Sequence, residues 1–85
     1  MSESMGIIAG RGQFPALVAR EARRAGLRVA ICGFHGHTDP SLAEACDAFS
    51  LIHLGQFGRL SEFFHGQGAS RLCFAGAIDK PRALD

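Results

Sequence analysis

The stretch Ile7-Ile8-Ala9-Gly10-Arg11-Gly12-Gln13-Phe14-Pro15 takes an apolar run through two glycines and into a helical pattern. It reads as a strand, a tight turn and a helix start. Glycine at such a turn admits φ > 0 and lets a ligand approach bare backbone, while the first N–H groups of the helix have no partners of their own. That is an anion-binding geometry, with phosphate the usual anion. Glycine is also common wherever a strand turns into a helix, so the string alone favours that purely structural reading.

Outward from this stretch the βα rhythm repeats. The first strand is expected over Met5–Ala9, after a disordered extension at residues 1–4. A helix over Phe14–Ala25 follows, with Phe14, Leu17, Val18, Ala22 and Ala25 on its core face, Arg20, Arg23 and Arg24 on its solvated face, and Gly26 as its terminator. The second strand, Arg28–Phe34, is nearly continuously apolar, as strands covered on both faces are. Asp39-Pro40 makes a good N-cap and N1 pair for a short helix over Pro40–Ala48, with Leu42, Ala45 and Cys46 inward.

Phe49–Leu54 reads as the third strand. Gly55-Gln56-Phe57-Gly58 then leads into a helix ending near Gly68, whose apolar face is Phe57, Leu60, Phe63 and Phe64. Arg71–Ala75 is the fourth strand. Strands alternating with helices at this spacing need crossover connections. The expected fold is therefore α/β: a Rossmann-like three-layer domain over residues 5–79, with a four-stranded parallel sheet in the order 3-2-1-4 and helices on both faces. Each strand is closed by a glycine, Gly10, Gly33, Gly55 or Gly76, at near-equal spacing. In a parallel sheet these ends share one edge, and open α/β sheets bind ligands at that carboxyl edge where the strand order reverses.

Composition limits the partners. The chain has 85 residues, 47% of them hydrophobic and 20% charged, with a formal net charge of +1. This describes one small globular domain and supplies no basic footprint for nucleic acid. Cys32, Cys46 and Cys73 show no C-x-x-C spacing, so reduced, packed thiols of a cytosolic protein are expected. Met1-Ser2-Glu3-Ser4 is acidic rather than basic, and no apolar run nears the ~20 residues of a membrane span. A cytoplasmic protein with at most peripheral membrane contact follows.

The ligand class is narrower than the fold. A dinucleotide site wants a third glycine where Pro15 stands and an acidic residue where Phe34-His35 stands, so NAD is disfavoured while phosphate remains. His35-x-His37-x-Asp39 has the spacing of a metal string, but Pro40 follows it; a loop in which Asp39 caps a helix is the preferred reading. Only Asp39 and Asp79 fall near the strand-end edge, which leaves no residues to position a water and deprotonate it. An enzyme complete within these residues is not expected.

Ile7-Ile8-Ala9-Gly10-x-Gly12-x-Phe14-Pro15, Gly36-x-Thr38-Asp39-Pro40, Leu54-Gly55-Gln56-Phe57-Gly58, and Ala75-Gly76 leading to Lys80-Pro81-Arg82 together resemble the N-terminal domain of the LpxI-type UDP-2,3-diacylglucosamine pyrophosphatases of Gram-negative lipid A assembly. The resemblance runs over nearly the whole chain from Met5. It implies a two-domain cytoplasmic hydrolase that cleaves UDP-2,3-diacylglucosamine to lipid X and UMP by water attack on the α-phosphorus. Mg²⁺ or Mn²⁺ would be held mainly by a catalytic C-terminal domain absent here, with residues 80–85 beginning the linker to it and no cofactor held by this part.

The substrate would lie between the two domains. Gly10, Arg11, Gly12, Gln13, Gly55, Gln56, Gly76 and Lys80 are then the candidate substrate contacts, and no catalytic or metal residue is assigned. Expected partners are UDP-2,3-diacylglucosamine, the C-terminal domain and a second copy of the chain. Two alternatives come from other classes: a stand-alone nucleotide- or phosphate-binding module, and a non-catalytic scaffold or dimerisation domain.

Overall fold

The computed structural model describes residues 3–76. Its elements are β1 (Ser4–Ala9), α1 (Phe14–Arg24), β2 (Arg28–Phe34), a 3₁₀ turn (Pro40–Ala45), β3 (Ala48–Ile52), α2 (Phe57–Gly66) and β4 (Arg71–Ala75). All strand pairs are parallel and the sheet order is β3-β2-β1-β4, as expected. Ile7 registers with Ile31 and with Cys73, which sets β1 at the centre between β2 and β4.

Alternation along the strands divides the core in two. Ile7, Ala9, Val29 and Ile31 face Ala19 and Ala22 of α1 and Leu42 of the 3₁₀ turn. Ala30, Cys32, Phe34 and Ile52 face Phe64 of α2, with Ile8, Leu60 and Phe63 at the margin. The two helices therefore lie on opposite faces, completing three layers. Gly6 marks the tightest point of the second core: a Cβ there would come within 2.6 Å of the Phe64 ring and of the Leu72 side chain. The missing side chain is the space that the ring fills.

Several boundaries move from their expected places. β1 begins at Ser4, inside the stretch expected as a disordered extension; Ser4 is buried and its carbonyl accepts from Ser70 N–H at 2.9 Å. The short helix is a 3₁₀ turn ending at Ala45 rather than a helix to Ala48. Asp47 explains why: its N–H donates to the Val29 carbonyl and its carboxylate accepts from Val29 N–H, both at 2.8 Å, so the chain is already docked on β2. β3 correspondingly starts at Ala48 and ends at Ile52, which leaves His53 beyond the strand.

The helix faces are also narrower than their periodicity suggests. In α1 the buried residues are Pro15, Ala19 and Ala22, while Phe14, Leu17 and Ala25 are exposed. In α2 Phe64 is buried, Leu60 and Phe63 are half-buried, and Phe57 is 67% exposed. Gly26, with φ +87, ends α1 as expected, and Leu27 N–H closes back onto the Ala22 carbonyl.

Candidate functional site

The carboxyl ends of the strands gather the loops that the sequence singled out. After β1 come Gly10-Arg11-Gly12-Gln13, and Gly12 adopts φ +93 with open space where a Cβ would stand. Gln13 is the N-cap of α1 but makes no side-chain capping bond; Pro15 occupies the first turn, and no acidic residue lies there. The positive end of the helix is thus not neutralised by its own sequence. Pro15 itself is fully buried, so the position where a dinucleotide fold carries a third glycine is here packed against the sheet.

After β2 the chain folds through His35-Gly36-His37-Thr38. Thr38 is the pin of this loop. Its hydroxyl donates to the Ala9 carbonyl at 2.6 Å and accepts from Phe34 N–H at 2.8 Å, so one buried side chain joins the ends of β1 and β2. A Cβ on Gly33 would sit 2.5 Å from that threonine. Gly33 is therefore not the strand-closing glycine expected of it: it lies inside β2, and Gly36, with φ +81, makes the turn.

Between these two loops opens a groove of about 580 Å³, lined by Arg11, Gly12, Gln13, Gly36, His37, Thr38, Asp39 and Pro40. Arg11 spans its mouth and donates to the Gly36 carbonyl at 3.3 Å. Asp39 accepts from Ser41 N–H at 2.9 Å, the expected cap, and that hydrogen bond holds its carboxyl below the ordinary value of 3.8. His37 is half-buried, and its Nδ1 has no hydrogen-bond partner among the described residues.

The groove lies between the β1 and β2 loops, not at the β1–β4 reversal where the general rule puts a ligand. At that reversal the two loops touch. Gly10 N–H donates to the Ala75 carbonyl at 2.8 Å, and a Cβ on Gly76, whose φ is +100, would lie 2.6 Å from the Arg11 carbonyl oxygen. Backbone fills the place where a crevice was expected.

The candidate contacts therefore separate. Arg11, Gly12 and Gln13 line the groove; Gly10 and Gly76 form the backbone junction beside it. Gly55, with φ +98, and Gln56 sit past β3, where the Gln56 side-chain oxygen accepts from His53 N–H at 2.8 Å and the His53 ring stacks 4.4 Å from that of His35. Lys80 and Asp79 lie outside the described residues. Gly36, His37, Thr38, Asp39 and Pro40 were not among the expected contacts, although the Gly36-x-Thr38-Asp39-Pro40 string was the signal for four of them.

Metal chemistry finds no donor set among the described residues. Among the described residues no three histidine, cysteine, aspartate or glutamate side chains come together in a way that could hold a metal ion, and Asp39 spends an oxygen on its cap. His35-x-His37-x-Asp39 forms a turn rather than an extended strand, and His35 turns away to stack on His53. Among the described residues no helix is long and apolar enough to cross a membrane.

Parallel topology, a glycine turn opening into α1 and a groove at the strand ends define a Rossmann-like α/β domain. Sequence comparison makes the assignment specific. Residues 4–85 match the LpxI N-terminal domain, and the chain belongs to that family. It is 31% identical over 77 residues to the UDP-2,3-diacylglucosamine pyrophosphatase LpxI of Caulobacter vibrioides (strain ATCC 19089 / CIP 103742 / CB 15). That alignment takes in 91% of this chain but 27% of the relative, so the chain spans about a quarter of the length of the protein it matches.

Proposed function

We propose that this chain is the substrate-binding N-terminal part of a UDP-2,3-diacylglucosamine pyrophosphatase, which hydrolyses its substrate to 2,3-diacylglucosamine 1-phosphate (lipid X) and UMP in the cytoplasm. The observation that carries this reading is the match of residues 4–85 to the LpxI N-terminal domain, together with a relative bearing that activity in its name. The groove supplies a physical role. The bare backbone of Gly12, the Arg11 guanidinium, the Gln13 amide and the positive end of α1 present donors and positive potential to a pyrophosphate, and His37 lines the facing wall.

The chemistry belongs elsewhere in such an enzyme. Mg²⁺ or Mn²⁺ would stabilise charge on the phosphates, and the residues described here do not fit its coordination, so no step is assigned to it on this chain. Binding and orientation are what these residues do; Gly10 and Gly76 fix the loop, and Lys80 is a further phosphate partner.

Replacing the matched N-terminal stretch of the Caulobacter relative by these 85 residues gives the test. The joined protein, with Mg²⁺ or Mn²⁺, releases UMP from UDP-2,3-diacylglucosamine, while the 85-residue chain alone releases none. A joined protein that folds and leaves the substrate intact overturns the reading. Titration of the 85-residue chain with UMP and UDP-sugars in a calorimeter separates a stand-alone binding module, which would bind unaided.

A further inference from the structure

Past the registered pair Phe34 and Ile52, β2 and β3 run out abreast into two histidines. The rings of His35 and His53 lie 4.4 Å apart, tilted by 31°, and both residues are exposed. Each is fixed at its backbone. His35 N–H donates to the Ile52 carbonyl at 2.9 Å, and His53 N–H to the Gln56 side-chain oxygen at 2.8 Å. A pair held this way covers one face of each ring and leaves the other open. Gln56 spends its oxygen on His53 and keeps its amide N–H groups for another acceptor.

The pair adjoins the groove, since His35 runs directly into Gly36 of its lining. A pyrophosphate seated in the groove has two ways to continue along the strand ends. Toward β4 the backbones of Gly10 and Gly76 fill the space. Toward β3 stand the two histidines. In nucleotide-binding α/β folds the phosphate sits at the turn after the first strand, and the ribose reaches the end of the second, where an acidic side chain receives it. Here that end carries His35, and the next step outward is His53.

We infer that the His35–His53 pair is the nucleoside subsite of the groove: the uracil of the substrate stacks on the open face of the pair, and the Gln56 amide donates to one of its carbonyls. The chemistry favours the base over the acyl half. Uracil is a flat ring edged with carbonyl acceptors, which imidazole faces and an amide complement. Two acyl chains ask instead for apolar area, which these three side chains do not provide. For the identity of its ligand the inference rests on the function proposed above.

Two measurements on the joined protein described above test it. In the first, UMP shifts the histidine ring resonances of His35 and His53 in NMR spectra, and inorganic phosphate does not. Rings that UMP leaves unmoved, or that phosphate moves equally, overturn the inference. In the second, His53→Ala raises KM about tenfold and weakens inhibition by UMP by the same factor, with kcat unchanged, while His53→Phe, which keeps a stacking face, restores both. Unchanged KM and UMP inhibition overturn the inference and leave the proposed function standing. A raised KM with unchanged UMP inhibition assigns the pair to the lipid half and overturns it too. A joined protein that folds but does not cleave the substrate overturns the proposed function, and the ring resonances still decide the subsite. If the joined protein does not fold, the resonances are followed in the 85-residue chain mixed with the relative's remaining polypeptide, where unmoved rings likewise overturn the inference.

Discussion

Thr38 joins two strand ends with one hydroxyl, and its removal leaves both partners buried without replacement. Thr38→Val keeps the shape but orphans the Ala9 carbonyl and the Phe34 N–H. A loss of about 1–3 kcal/mol is expected from urea unfolding, with Thr38→Ser recovering most of it. Two glycines make a second comparison. Gly12 and Gly76 both hold φ > 0, but a Cβ at Gly12 meets nothing, whereas at Gly76 it meets the backbone of Arg11 and Gly10. Gly12→Ala should cost about 1–2 kcal/mol from conformation alone, and Gly76→Ala measurably more in the same unfolding experiment. The sequence shows a threonine and two glycines; it does not show that Thr38 closes on Ala9, twenty-nine residues away, because that contact exists only once β1 and β2 are paired.

The elements themselves were legible where local chemistry decides them. β2 reads as a doubly covered strand because its residues from Val29 to Phe34 are all buried, and Asp39-Pro40 starts its turn with the cap that the pair predicts. That cap carries a pH dependence. Hydrogen bonding from Ser41 lowers the folded pKa of Asp39, so its stabilisation is present above the unfolded value of about 3.9 and is lost as pH falls through the lower folded value. Asp39→Asn should flatten this acid limb, followed by circular dichroism melts from pH 6 down to pH 2. Misreadings arose where periodicity had to stand for packing. Phe14, Leu17 and Phe57 have the spacing of core residues, but no described layer lies over them. Gly33 looked like punctuation because an apolar strand with a glycine near its end does not reveal a threonine folded over it.

For the molecule as a whole, Cys32 reports global opening. It is fully buried within the sheet, and burial pushes its thiol up to about 11. Alkylation at neutral pH should therefore track complete unfolding, measured by mass spectrometry in rising urea. The linkage has a definite sign. Above pH 9 the unfolded chain loses a proton that the folded chain keeps, so stability falls toward pH 11, by up to about 1.4 kcal/mol per pH unit. Cys32→Ala should reduce that slope, leaving the part due to Cys46, whose thiol is also raised by burial. An unchanged slope would assign the alkaline loss to another group.

The sheet order also has a consequence in time. β4, made last among the four strands, pairs with β1, made first: Met5 must find Arg71. β1, β2 and β3 can associate with their neighbours as they emerge from the ribosome, but β1 keeps its second edge open until residue 75 has been synthesised. The chain therefore matures outward from β2, and the contact of Gly76 with the Arg11 backbone is among the last to close, so that the wall of the groove is set only when the strand beside it arrives.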